Sequence, residues 1–157
     1  MTETIAEQLP RLRETIDESA PAGIAEIFLR EQRALASATP EGIIEVGAPL
    51  PDAELLDPYG HPTTLNEALA GRPGVLVFYR GAWCPYCNLA LRTYQAVLVD
   101  ELEARNTQLV AVSPQRPDGS LTMDRERIVR WLDVHPDYST RSEPEQILAA
   151  LDVLERA

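Results

Sequence analysis

Residues 75 to 91 read VLVFYRGAWCPYCNLAL, and this stretch limits the possible folds more than any other. Val75 to Tyr79 is short, continuously apolar and rich in β-branched and aromatic residues, as expected of a strand buried on both faces inside an α/β sheet. From Pro85 to about Arg105, Leu91, Tyr94, Leu98 and Leu102 recur at helical spacing. A buried strand therefore runs through a tight turn into a helix, and that turn carries both cysteines of the chain, Cys84 and Cys87. Leu109 to Val112 supplies a second buried strand.

A thiol in the first turn of a helix faces unsatisfied backbone N–H groups and the positive end of the helix dipole, and both favour thiolate over thiol. In such CxxC sites the first thiol's pKa falls from ~8.5 to between ~3.5 and 7.5, and the thiolate is the form that attacks a disulfide or a peroxide. Cys84 is thus the candidate nucleophile. Cys87, one helical turn further in, lies close enough to close a disulfide and is the candidate resolving thiol. Pro85 suits the first turn, and Trp83 and Tyr86 are expected to shield the sulfurs from bulk water. Arg80 is the nearest cation in sequence; it either stabilises a thiolate or peroxide oxygen or is a solvated residue at a strand end. A zinc site using Cys84, Cys87, His61 and His135 is the competing reading. It is disfavoured because His61 stands in a Gly-His-Pro turn and His135 before a proline. A pair of inert buried cysteines would make the helix-start location a coincidence.

The 157 residues suit one domain that buries roughly 68 to 70% of its unfolded surface. With 14 basic against 25 acidic residues the formal charge is −11, which repels phosphate backbones and anionic membranes, so neither nucleic acid nor a membrane is an expected partner. The acidic N-terminus lacks the apolar core of a secretory signal, and no apolar run reaches spanning length. A cytoplasmic protein is the expectation, and there two neighbouring thiols are more often catalytic or metal-binding than a structural staple.

Residues 1 to 38 read as two helices separated at Pro21. One carries the stripe Ile5, Leu9, Leu12, Ile16 and the other Ile24, Ile27, Phe28, Leu35. These stripes either pack on the chain's own domain or pair with another subunit. A Pro-, Gly- and acid-rich linker leads to a hairpin turning at Asp57-Pro58-Tyr59-Gly60, and Thr64 with Glu67 forms a capping box for a short helix that stops at Gly71. Ile128 to Val134 reads as a strand, with a hairpin turn at Asp124-Arg125-Glu126 from a short strand at Leu121 to Met123. Ser142 and Glu145, with Pro144 in the first turn, cap a last helix whose face is Ile147, Leu148, Leu151 and Leu154. The expected division is an N-terminal helical extension over 1–40 and an α/β domain over 41–157.

The runs GAPLPDAELLDPYGHPTTLNEAL, VLVFYRGAWCPYCNLALRTYQ and QLVAVSPQRPD resemble the peroxiredoxins of the alkyl hydroperoxide reductase/thiol-specific antioxidant group, especially the peroxiredoxin-like branch with RGxWCPYCN. The resemblance covers residues 46 to 118 and resumes near Met123. It implies a thioredoxin-like fold, a central mixed sheet flanked by helices. The activity it implies is thiol-dependent peroxidase chemistry, in which Cys84 is the peroxidatic nucleophile that reduces hydrogen peroxide or an organic hydroperoxide and becomes a sulfenic acid, and Cys87 condenses with it. Thioredoxin, glutaredoxin or a small thiol would return the disulfide to dithiol, and no cofactor is implied: no metal, flavin or nucleotide.

The chain departs from the family pattern in two places. Gly81 and Val77 stand where typical members place a Thr three residues before the peroxidatic Cys and a Pro seven before it. The crossover helix and cis-proline loop that relatives carry between the SPQRPDGSLT stretch and the DRxxxIVRW strand are absent. The sheet can still close, because a bridge across two strand spacings needs about 9.6 Å and the six residues Pro114 to Gly119 reach up to about 20 Å. That loop is expected to pass over the end of the central strand, with Leu121 to Met123 pairing antiparallel. The face bared by the lost helix is expected to be covered by the N-terminal helices or by a second copy in a homodimer. Two other functions fit these residues: a glutaredoxin- or thioredoxin-like dithiol-disulfide oxidoreductase, and a shortened non-catalytic paralogue acting as a binding subunit.

Overall fold

The computed structural model describes residues 3–21, 23–37, 42–57, 59–113, 119–123, 129–134, 140–154 and 156. Two N-terminal helices, α1 (Ile5–Ser19) and α2 (Ile24–Ala36), precede a hairpin of β1 (Glu54–Leu56) and β2 (Pro62–Thr64). Then follow α3 (Leu65–Leu69), β3 (Gly74–Phe78), α4 (Pro85–Val97), α5 (Val99–Ala104), β4 (Gln108–Val112), β5 (Gly119–Met123), β6 (Val129–Val134) and α6 (Pro144–Leu154).

The main sheet has the order β4-β3-β5-β6. β3 and β4 are parallel, in register from Gly74 opposite Gln108 to Phe78 opposite Val112, and the chain between them contains α4 and α5. β5 lies antiparallel on the other side of β3, with Leu76 opposite Leu121, and β6 pairs antiparallel with β5. The antiparallel strand expected at Leu121 to Met123 is therefore present, beginning two residues earlier. No helix intervenes between β4 and β5 among the described residues. The bridging loop at 114–118, the turn at Asp124-Arg125-Glu126 and His135 lie outside them.

Alternation along β3 divides the core in two. Val75 and Val77 face one side, where they pack with Ala90, Tyr94 and Leu98 of the α4 region, Leu102 of α5, Ile147 and Leu151 of α6, and Ile5 of α1. Leu76 faces the other, where Leu50, Leu65 and Leu69 complete a smaller cluster with Ile44, Leu55, Phe78, Val110 and Leu132 packed against it. α1 thus joins the face that already carries α4 and α6. The expectation that the N-terminal helices cover the other face is not met; residues 44 to 69 supply its contacts. α1 is held there because Ile5 is fully buried and the Glu143 carboxylate accepts the backbone N–H groups of Ile5 (2.9 Å) and Ala6 (2.7 Å), satisfying donors that the first turn leaves open.

The hairpin turn forms as expected. Asp57 Oδ1 accepts the N–H groups of Tyr59 and His61, both at 2.8 Å, and Gly60 takes φ 85°. The Thr64–Glu67 capping box is present, while α3 ends at Ala70, which itself takes φ 52° ahead of Gly71. The expected helix from Pro85 to about Arg105 is broken at Leu98, where α4 gives way to α5. The cap of α6 falls one residue later than expected: Gln146 Oε1 accepts the Glu143 N–H at 2.7 Å, and the Ser142 hydroxyl instead donates to Asp133 Oδ2 at 2.7 Å. Among the described residues no helix is long and apolar enough to cross a membrane.

Candidate active site

β3 delivers the chain through Tyr79 and Arg80 to a loop whose last residue, Cys84, is the N-cap of α4, followed by Pro85 in the first turn. The loop is pinned by three hydrogen bonds. The Cys84 N–H donates to the Gly81 carbonyl at 3.0 Å, the Asn88 N–H donates to the Cys84 carbonyl at 3.0 Å, and Asn88 Nδ2 donates to the Ala82 carbonyl at 2.8 Å. Gly81 takes φ 141°, a conformation that residues with a Cβ rarely adopt. The backbone itself thus accounts for glycine at this position.

Both sulfurs are free thiols and both residues are only 1% exposed. They are hydrogen-bonded to each other. Cys87 Sγ also accepts the Arg80 backbone N–H at 3.3 Å and faces Arg141 Nη2 at 3.4 Å. The hydrogen bond from Cys84, reinforced by those two donors, lowers the Cys87 pKa to about 5. The same hydrogen bond, together with burial, pushes the Cys84 thiol up. The two sulfurs thus share a proton, with ionisation favoured at Cys87 and disfavoured at Cys84. The ionisation of Cys84 expected from the helix N-terminus is opposed here by the hydrogen bond to the Cys87 sulfur and by burial, and favoured by the Cys87 backbone N–H and by Arg141.

Arg141 is the site residue that sequence reasoning missed. It lies 54 positions from Cys87 and is brought there because the buried Tyr94 hydroxyl of α4 donates to the Ser142 carbonyl at 2.6 Å while Ser142 is tied to Asp133 of β6. One signal was available: a cation just ahead of a helix start opposes the dipole there and needs another reason for its position. Arg80, the expected cation, places its guanidinium 5.1 Å from the Trp83 ring centroid and contributes its main chain to Cys87. His61 Nδ1 pairs with Asp57 Oδ2 at 3.0 Å in the exposed hairpin turn. Among the described residues no group of three or more His, Cys, Asp or Glu stands together as a metal site would require.

Cys84, though only 1% exposed, borders a cavity that Cys87 does not line. A cavity of about 360 Å³ is lined by Cys84 with Arg80, Trp83, Pro85 and Tyr86 on one side and residues of α1 and α2 on the other. Trp83 and Tyr86 line this cavity above Cys84; Trp83 itself is largely exposed.

The sheet order, and a CxxC pair that starts the helix after the central strand, define a thioredoxin-fold domain with a dithiol centre. Residues 46–139 match the AhpC/TSA family, and the chain belongs to that family. No curated protein sequence matches it. Among solved structures it is similar to a reduced 2-Cys peroxiredoxin of Plasmodium vivax (TM-score 0.58, 16% identity, 71% of this chain and 96% of that one). It is likewise similar to AhpC of Mycobacterium tuberculosis (TM-score 0.58, 15% identity, 72% and 99%). A Chlorobium tepidum protein described as a thiol:disulfide interchange protein DsbE follows at TM-score 0.54 and 19% identity, over 69% and 99%. At these identities the likenesses establish the fold.

Proposed function

We propose that the chain is a thiol-dependent peroxidase in which Cys84 is the nucleophile and Cys87 the resolving thiol. The observation that carries this reading is the asymmetry of the pair: Cys84 lines a cavity large enough for a small molecule, and Cys87 is held behind it against Arg141. Attack begins when the proton of Cys84 passes along the hydrogen bond to Cys87, leaving a Cys84 thiolate at the N-terminus of α4. That thiolate attacks the distal oxygen of the hydroperoxide. An S–O bond forms, the O–O bond breaks, the sulfur is oxidised by two electrons, and the alkoxide or hydroxide leaves and takes the proton from Cys87.

Cys87, a thiolate once more, then attacks the Cys84 sulfur; the S–S bond forms, the S–O bond breaks, and the leaving hydroxide takes a proton from solvent to become water. An external dithiol, of the thioredoxin or glutaredoxin kind or a small thiol, reduces the disulfide. A cytoplasmic setting, where such reductants are abundant, suits this cycle.

Adding one equivalent of hydrogen peroxide to the reduced protein tests this. The wild type is expected to lose two thiols, and Cys87→Ser to stop at a sulfenic acid on Cys84, read by mass. Cys84→Ser is expected to react no faster than a free thiol. A second reading, a dithiol-disulfide oxidoreductase, is favoured by Gly81, whose backbone provides no threonine hydroxyl for a peroxide. It prevails if peroxide reacts slowly while a glutathione mixed disulfide is reduced quickly. Reaction with neither would point to a binding subunit.

A further inference from the structure

The family match begins at residue 46, yet one wall of the cavity over Cys84 is built by residues that precede it. Ile16 of α1 and Ala25, Phe28 and Leu29 of α2 face Trp83 and Cys84 across this space. Phe28 and Leu29 remain 42% and 51% exposed and Trp83 is 64% exposed, so large apolar groups stand around Cys84, the only sulfur among the described residues that line the cavity. α2 buries no residue of its own. An amphipathic helix held beside a nucleophile without burying its apolar side is unexplained by packing. The cavity volume falls in the ordinary small-ligand range of about 300 to 1,000 Å³.

We infer that α1 and α2 form a specificity wall for the organic part of a bulky apolar hydroperoxide, which distinguishes such a substrate from hydrogen peroxide. This rests on the peroxidase reading. The apolar group lies against Ile16, Phe28, Leu29 and Trp83, where it covers surface otherwise left to water. The hydroperoxide points to Cys84. Arg13, Asp17 and Arg80 line the same cavity, giving it a polar edge beside the apolar wall. The reaction is that given above, with ROOH converted to ROH as Cys84 becomes the sulfenic acid. Hydrogen peroxide has no group to place on the wall and gains nothing from it.

The test uses the full reduced chain and two substrates, hydrogen peroxide and cumene hydroperoxide, followed by stopped flow. Cumene hydroperoxide is expected to react faster. Phe28→Ala combined with Leu29→Ala is expected to slow it about tenfold, the scale of discrimination an apolar pocket provides, and to leave hydrogen peroxide unchanged. Ile27→Ala, on the same helix and 50% exposed but outside the cavity wall, is expected to change neither. A separate binding measurement titrates the reduced Trp131→Phe protein with the product alcohol, 2-phenyl-2-propanol, and reads the fluorescence of the remaining Trp83. The double variant is expected to lose this response. If hydrogen peroxide reacts but the double variant treats both peroxides as the wild type does, the wall is overturned and the peroxidase reading stands. If neither peroxide reacts with the wild type, the peroxidase reading falls and takes this inference with it, even if the alcohol binds.

Discussion

Arg141 determines where the charge of the thiol pair resides. Its guanidinium faces Cys87 Sγ at 3.4 Å, and Cys87 is buried, so a unit positive charge is worth more there than in water. Arg141→Met keeps the stem and removes the charge. The expected outcome is a rise in the first ionisation midpoint of the pair, from about 5 upward by one pH unit or more, read from thiolate absorbance. An unchanged midpoint would mean that the Arg80 backbone donor suffices alone. Gly81→Thr asks a different question of the same loop. A threonine here places a β-branched side chain at φ 141°, and the expected cost is about 1 to 3 kcal/mol of stability with slower peroxide reaction. Chemical denaturation measures the first and stopped flow the second.

At the level of elements, the strand–turn–helix around the cysteines was legible because its signals are local: an apolar run, a proline at the first helical turn, and leucines at helical spacing. The hairpin and the Thr64–Glu67 box were legible for the same reason. What could not be read was long-range. Nothing in the sequence near Arg141 specifies Cys87, because the contact depends on Tyr94 clamping the Ser142 carbonyl from another helix. Tyr94→Phe removes that donor and leaves a buried carbonyl unpaired, with an expected loss of about 1 to 3 kcal/mol and a rise in the Cys87 midpoint as the Arg141 segment loosens. α1 carries a local Thr4–Glu7 capping box, and what was illegible for the same reason is its second acceptor, Glu143, which belongs to the start of α6. Glu143→Ala is expected to cost about 0.5 to 2 kcal/mol. Glu143→Gln should recover part of that, because an amide oxygen still accepts one of the two N–H groups.

Across the whole molecule, the cluster on the Val75 and Val77 side of β3 is joined to the site through α1. Ile5 is buried with Val75, Val77 and Tyr94, and the far end of the same helix reaches the cavity over Cys84 through Ile16. The stripe read from the sequence is therefore divided, its first residue anchoring the helix in the core and its last lining the site. Ile5→Ala is expected to destabilise by about 2 to 5 kcal/mol, as for other large-to-small changes in a core.

Stability should also depend on pH through the thiols. Cys87 has a folded pKa of about 5 against an unfolded value of ~8.5. Between these two values the unfolded chain keeps a proton that the folded protein has released, so stability of the reduced protein rises with pH through that window and is lost as pH falls toward 5. Cys84 is shifted in the opposite direction, so above ~8.5 its contribution falls as pH rises. The reduced wild type is thus expected to be most stable near pH 8.5 with respect to this pair. Cys87→Ala should flatten the rise between pH 5 and 8.5, because it removes the group that ionises on folding. Urea midpoints measured under reducing conditions at pH 5.5, 7 and 8.5 check this, and equal slopes for wild type and variant would mean that Cys87 is not the sulfur that carries the charge.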